Sequence, residues 1–183
     1  GYGCGAGKFA SVAEALTGGK LKLSPAVARQ QVAAYRQQNP LIIALWDKVE
    51  AFVRQQAKNE PECAVIETRS GKPIRYWDVE FSGKRDEMTA ATVKGGPRKK
   101  IYSGQLVENL VQASAREIFG HMLIKAEAAG LPICLHVHDS ITVEVAESEG
   151  QAALDLLVNI MSEAPAWAEG LPLAAEGEIR RHY

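Results

Sequence analysis

Leu135-His136-Val137-His138-Asp139-Ser140-Ile141-Thr142-Val143 is the stretch whose reading decides the fold class. Two short apolar runs, 133–137 and 141–145, flank a polar triplet, which is the pattern of a β-hairpin. Strict alternation of side chains tests the loop length. A two-residue loop pairing His138 with Ile141 mixes polar and apolar residues on both faces. A three-residue loop of His138, Asp139 and Ser140 pairs Val137 with Ile141 instead. It collects Ile133, Leu135, Val137, Ile141, Val143 and Val145 on one face and Cys134, His136, Thr142 and Glu144 on the other, so it is the expected form. Asp139 then stands at the tip of a half-buried hairpin, fixed in place and open to solvent and ions. On spacing alone an ordinary turn-forming aspartate is the favoured explanation. Cys134 and His136 are two possible ligands without further partners, and they read as a polar face rather than a metal site.

The segment before the hairpin, 104–129, is the longest helical pattern, closed by Gly130 and Pro132. Gln105, Asn109, Gln112 and Arg116 fall at i, i+4, i+7 and i+11 and form one polar stripe, while Val107, Val111, Ile118 and Met122 line another face. Amide and guanidinium donors in a row suit a minor groove, where every base pair offers acceptors at similar places. A solvated helix face accounts for the stripe as well. After the hairpin come an amphipathic helix at 148–161 and a final strand at 171–177.

Further upstream, 62–81 reads as another hairpin around Ser70-Gly71-Lys72-Pro73. Residues 82–100 are polar and basic, with Lys84, Arg85, Lys94, Arg98, Lys99 and Lys100. They read as a solvated loop or as a loop following a nucleic-acid backbone. Ser24-Pro25 and Asn39-Pro40 start two helices, to about 38 and 58. No element is read before Ser24. The order predicts an antiparallel α+β domain rather than a doubly wound sheet.

The 183 residues, 46% hydrophobic, suffice for one domain or a large piece of a bigger one. A net charge of -1 neither requires nor excludes a nucleic-acid partner. Three distant cysteines, Cys4, Cys63 and Cys134, favour reduced thiols and a cytoplasmic setting over a disulfide framework or zinc site. No apolar run has membrane-spanning length. The opening Gly-Tyr-Gly-Cys-Gly-Ala-Gly, without an initiator Met, suggests a cut chain. Its glycines fail as a phosphate loop, since Tyr2 and Phe9 occupy positions that need Gly and Ser or Thr. They fail as a dinucleotide fingerprint because no strand precedes them.

Taken together, these pieces resemble family A (DNA polymerase I-like) DNA polymerases, particularly phage-type members. Gly104 through Ala113 with Ala115-Arg116 is similar to that family's palm helix, and His138-Asp139 between apolar strands to its motif C, usually His-Asp-Glu. Gly1-Tyr2-Gly3 resembles the end of motif B. Tyr35-Arg36, Asn39-Pro40 through Leu45-Trp46, and Leu171-Pro172-Leu173 through Glu176-Gly177 also fit, in order along nearly the whole chain. The resemblance implies a C-terminal fragment, with a partial fingers subdomain at 1–100 and a palm subdomain at 101–183. It implies template-directed DNA synthesis by two-metal phosphoryl transfer, with primer-template DNA and deoxynucleoside triphosphates as partners. Asp139 matches the motif C aspartate that binds Mg2+. Gln112, Arg116 and Asn109 match primer-template contacts, and His138 a position near the primer terminus. Tyr2 and Gly3 match the nucleotide and template-base site.

Two departures follow. Ser140 replaces the usual motif C Glu. Motif A, which supplies the second Mg2+-binding Asp, is expected upstream of residue 1, and one carboxylate cannot hold two Mg2+ ions. The chain alone is therefore expected to be inactive, and exposed apolar surface is expected to permit a dimer. Two other readings remain open: a catalytically dead nucleic-acid-binding module, which Ser140 favours, and an unrelated α+β interaction domain with a merely solvated stripe.

Overall fold

The computed structural model describes residues 3–83 and 87–181. The elements run α1 (Ala6–Leu16), α2 (Pro25–Gln38), α3 (Pro40–Asn59), β1 (Cys63–Glu67), β2 (Pro73–Ser82), β3 (Glu87–Ala91), β4 (Lys99–Ile101), α4 (Ser103–Ala128), β5 (Ile133–Val137), β6 (Ser140–Val143) and α5 (Gly150–Ser162). Every strand pairing is antiparallel, so the protein is α+β as its element order predicts. The residues divide into two compact units, one of Gly1–Glu67 with Pro73–Val111, the other of Thr68–Lys72 with Gln112–Tyr183.

In the first unit the helices start where the sequence marks them. Ser24 Oγ accepts the Val27 N–H at 3.3 Å, and Pro25 takes the first helical position of α2. Asn39 closes α2, its side-chain amide donating to the Tyr35 carbonyl at 2.8 Å, and Pro40 opens α3. Along α3, Trp46, Val49, Val53 and Ala57 are buried, one stripe at helical spacing. That stripe packs with Ala64, Ile66, Tyr76, Val79 and Met88 of the sheet. Two side chains of α3 complete the backbone bonding of its neighbours. Gln56 Oε1 accepts the Val65 N–H at 2.7 Å, and Glu50 Oε2 accepts the Ser103 N–H at 3.1 Å. The second bond places a carboxylate on an orphan donor at the start of α4, where the helix dipole also favours negative charge.

The sheet of this unit has the order β1-β2-β3-β4. The hairpin expected at 62–81 is present, with Glu67 opposite Pro73. Strand β2 carries a bulge between Trp77 and Glu80, where Asp78 adopts φ 52 and donates its N–H to the Glu62 carbonyl at 3.0 Å.

Two expectations are corrected here. The basic stretch at 82–100 is not a single loop, because β3 and β4 lie within it or at its end and bury Met88, Ala90, Ala91 and Ile101. Small alanines and a threonine gave its alternation too little contrast to read as a strand. The glycine-rich opening contains α1, whose Ala-rich run forms a helix in spite of Gly7.

The second unit has its own core of Met122, Ala126, Leu131, Ala153, Leu157 and Ile160, on which Ile133, Ile141 and Val143 pack. Helix α5 realises the amphipathic helix expected at 148–161. The tail does not form the expected strand at 171–177. A strand needs a neighbouring edge for its N–H and C=O groups, and the tail instead lies along α5. Leu171 N–H donates to the Ala168 carbonyl at 3.0 Å and Ala175 N–H to Ser162 Oγ at 3.1 Å. Gly177 approaches so closely that a Cβ there would meet Leu154 Cδ1 at 2.5 Å. A groove of about 1790 Å3, lined by apolar residues such as Phe119, Met122, Val143, Leu157 and Leu173, opens within this unit. No helix among the described residues is long and apolar enough to cross a membrane.

Candidate nucleic-acid interface

Strands β5 and β6 pair Val137 with Ser140, His136 with Ile141, Leu135 with Thr142 and Ile133 with Val143. The loop is therefore the two residues His138 and Asp139, not the three-residue loop that alternation alone favours. Two adaptations make this register possible. Cys134 is an extra, bulged residue between the Ile133 and Leu135 pairs, and it resets the parity of β5 so that Ile133 returns to the core face. His136, opposite Ile141, meets Phe119 of α4 edge-on, the ring centroids 5.9 Å apart at 61°. Leu135 and Val137 are left 39% and 41% exposed on the opposite face.

The first loop residue, His138, has φ 55, as a tight hairpin loop between right-twisted strands demands. Ser140 turns its hydroxyl back across the loop and donates to the Val137 carbonyl at 2.8 Å. Asp139 projects from this tip and is exposed. Glu144, the nearest acidic residue in the following strand segment, lies beyond the far end of β6, its N–H bonded to the Pro132 carbonyl at 3.2 Å. At about 3.3 Å per strand residue the hairpin keeps the two carboxylates well apart. Among the described residues no group of three or more His, Cys, Asp or Glu is placed to hold a metal ion. Asp139 belongs to no such group among the described residues.

On α4, Gln112 and Arg116 are exposed, and neither side chain makes a hydrogen bond or ion pair among the described residues. Asn109 differs. It is half-buried, and its Nδ2 donates to the hydroxyl of Tyr76 at 2.9 Å. Tyr76 is 1% exposed, and burial pushes its phenol above the ordinary range while the Asn109 bond pulls it partly back. Of the four residues of the stripe, Gln112 and Arg116 are free donors, Asn109 is engaged and Gln105 is half-buried.

Tyr2 lies outside the described residues. Gly3 has φ 73 and sits against the start of α4, where a Cβ would come within 3.3 Å of Gly104 Cα. Of the basic residues read upstream, three are engaged within the first unit, while Lys99 is exposed. Arg98 pairs with Glu80, Lys100 bonds Glu87 at 2.6 Å, and Lys94 stands 5.3 Å from the Trp77 ring centroid. Lys84 and Arg85 lie outside the described residues.

One cluster was not visible in the sequence. The Thr68 hydroxyl donates to the Glu117 carboxylate at 2.8 Å, Ser70 Oγ donates to the same group, and the Lys72 N–H donates to Thr68 Oγ1 at 3.2 Å. Thr68 is 5% exposed. The partners lie 47 and 49 residues apart in sequence, so no local pattern announces them.

No family model matches the chain, and no solved structure matches it. Among curated proteins, the DNA polymerase of Bacillus phage SP02 is similar to it: 30% identical over 209 aligned residues, which take in 97% of this chain and 32% of the relative. The chain is thus related to a phage DNA polymerase and spans about a third of that relative's length.

Proposed function

We propose that these residues are the C-terminal portion of a family A DNA polymerase, 1–100 belonging to its fingers and 101–183 to its palm, and that they serve template-directed DNA synthesis. The observation that carries this reading is the similarity to the phage SP02 DNA polymerase across 97% of the chain. The placement of Asp139 at an exposed hairpin tip supports it, since a carboxylate there is accessible to a cation and to the end of a primer. In this reading Asp139 supplies one Mg2+ ligand. Gln112 and Arg116 grip the primer-template, and His138 lies near the primer terminus. Asn109, with one donor already held by Tyr76, contributes less to the duplex than the two exposed side chains. Tyr2 and Gly3 belong to the nucleotide and template-base site. Mg2+ bound with deoxynucleoside triphosphate would stabilise the charge that develops on the transferring phosphoryl group. The chain's own task is to hold the duplex in register.

Primer extension tests this directly. These 183 residues alone, with Mg2+ and deoxynucleotides, are expected to bind primer-template at low salt and to add no nucleotide. In a complete polymerase containing them, Asp139→Ala is expected to abolish synthesis while leaving duplex binding in place. Synthesis that survives the substitution would remove Asp139 from the active site. The Ser140 hydroxyl, turned inward to Val137, favours the second reading of a duplex-binding module without catalysis. That reading requires the complete protein to bind primer-template and never extend it.

A further inference from the structure

Among the described residues, six Lys and Arg side chains belong to the second unit: Arg69, Lys72, Arg116, Lys125, Arg180 and Arg181. Three are neutralised locally, Lys125 by Glu163, Arg180 by Glu178 and Arg181 by Glu147. The other three, Arg69, Lys72 and Arg116, are exposed and make no ion pair among the described residues. Two of these sit in the turn between β1 and β2, and the third sits in the middle of α4.

Glu117 brings them together. Thr68 and Ser70, which flank Arg69, both donate to its carboxylate, and the Lys72 N–H bonds back to Thr68. The acceptor is the residue next to Arg116. At 3.6 residues per turn, Glu117 points about 100° round the helix from Arg116, and Phe119 points about 60° to the other side. Phe119 meets His136 of the hairpin. Arg116 therefore emerges between two anchored contacts, one to the turn and one to the hairpin that carries Asp139. Both contacts oppose a roll of α4 about its axis. The carboxylate takes its hydrogen bonds from hydroxyls, and neither Arg69 nor Lys72 pairs with it.

We propose that the 68–72 turn is a phosphate-contacting element, docked by Glu117, through which Arg69 and Lys72 hold the nucleic-acid backbone alongside Arg116. This rests on the duplex-binding reading above and adds to it two residues and a positioning device. Free cations on the turn and on α4 suit a backbone of regularly spaced phosphates, and such contacts fix register without reading sequence.

The test is the salt dependence of primer-template binding by this chain, followed by fluorescence anisotropy between about 50 and about 200 mM salt. Arg116→Ala is expected to lower the slope of log K against log salt by about one, and the pair Arg69→Ala with Lys72→Ala by about two. The pair Thr68→Val with Ser70→Ala changes no charge. It is nonetheless expected to lower the slope towards that of the Arg69/Lys72 variant, because the turn is no longer docked. An Arg69/Lys72 variant that keeps the parent slope, while Arg116→Ala loses one, overturns the proposal and leaves the duplex reading standing. If the unaltered chain shows no affinity at low salt, both fall. Arg69→Glu with Lys72→Glu, at exposed positions that make no ion pair, keeps the comparison available if the uncharged pair melts below the assay temperature. Its expected result is a larger loss of affinity than the alanine pair shows.

Discussion

His138 holds the backbone at φ 55 without being glycine, next to the carboxylate that the functional reading depends on. A non-glycine residue in such a region stores on the order of 1–3 kcal/mol, and such strain persists where the surrounding structure over-determines it. Here the ladder pair Val137–Ser140 and the Ser140 hydroxyl bond close the loop around it. His138→Gly is expected to raise the stability of the chain by about 1 kcal/mol, the relief of strain being partly offset by the greater freedom of glycine in the unfolded chain. Urea unfolding of the two proteins side by side measures this. A lower midpoint in the variant would mean that the imidazole contributes contacts worth more than the strain. Asp139 itself was legible in the sequence, because an aspartate between two apolar runs is a turn residue on any reading. The loop around it was not. Alternation assumes an unbroken ladder, and the extra residue Cys134 shifts the parity of β5.

At the scale of elements, α4 is held at its start by Glu50, by Tyr76 through Asn109, and further along by the 68–72 turn. Tyr76 gives this arrangement a pH signature. Its phenol is raised in the folded state by burial, so the folded protein retains the proton when the unfolded chain releases it. The contribution is therefore complete below the ordinary tyrosine range near pH 10 and is lost as pH rises through the higher folded value. Tyr76→Phe is expected to destabilise the chain at neutral pH by about 1 kcal/mol, through the bond lost to Asn109. It is also expected to flatten the fall in stability at alkaline pH. The thiol of Cys63, likewise raised by burial, titrates in the same direction and remains in both proteins. Thermal melts from pH 8 to pH 11 compare them, and identical alkaline slopes would exclude Tyr76 as a source. The polar stripe of α4 could be read from spacing alone. That Asn109 is occupied could not, because its partner lies 33 residues away on another element. The strands at 87–91 and 99–101 were hidden by small side chains, and the tail at 171–177 was read as a strand because its composition carries no information about whether an edge is there to pair with.

For the whole molecule, the α+β class and most element positions followed from capping residues, prolines and periodicity, which are local. What escaped was settled by non-local partners. The groove of about 1790 Å3 in the second unit is the largest consequence of that kind, since its apolar lining includes Phe119, Met122, Val143 and Leu157. Apolar surface of this extent favours self-association. The chain is expected to pass from monomer to dimer as concentration rises through the micromolar range, which sedimentation velocity would detect. A single monomeric species at all concentrations would show that the groove is not adhesive. The order of the four-stranded sheet bears on something else, the sequence of events during folding. Each strand pairs with the one made just before it, β1 with β2, β2 with β3 and β3 with β4, so every loop that must close is short. Short closures are fast, and a ribosome releases the chain from its N-terminal end. The sheet, complete at Ile101, can form while the middle of α4 is still being synthesised. By then the 68–72 turn is already shaped, and it awaits the arrival of Glu117.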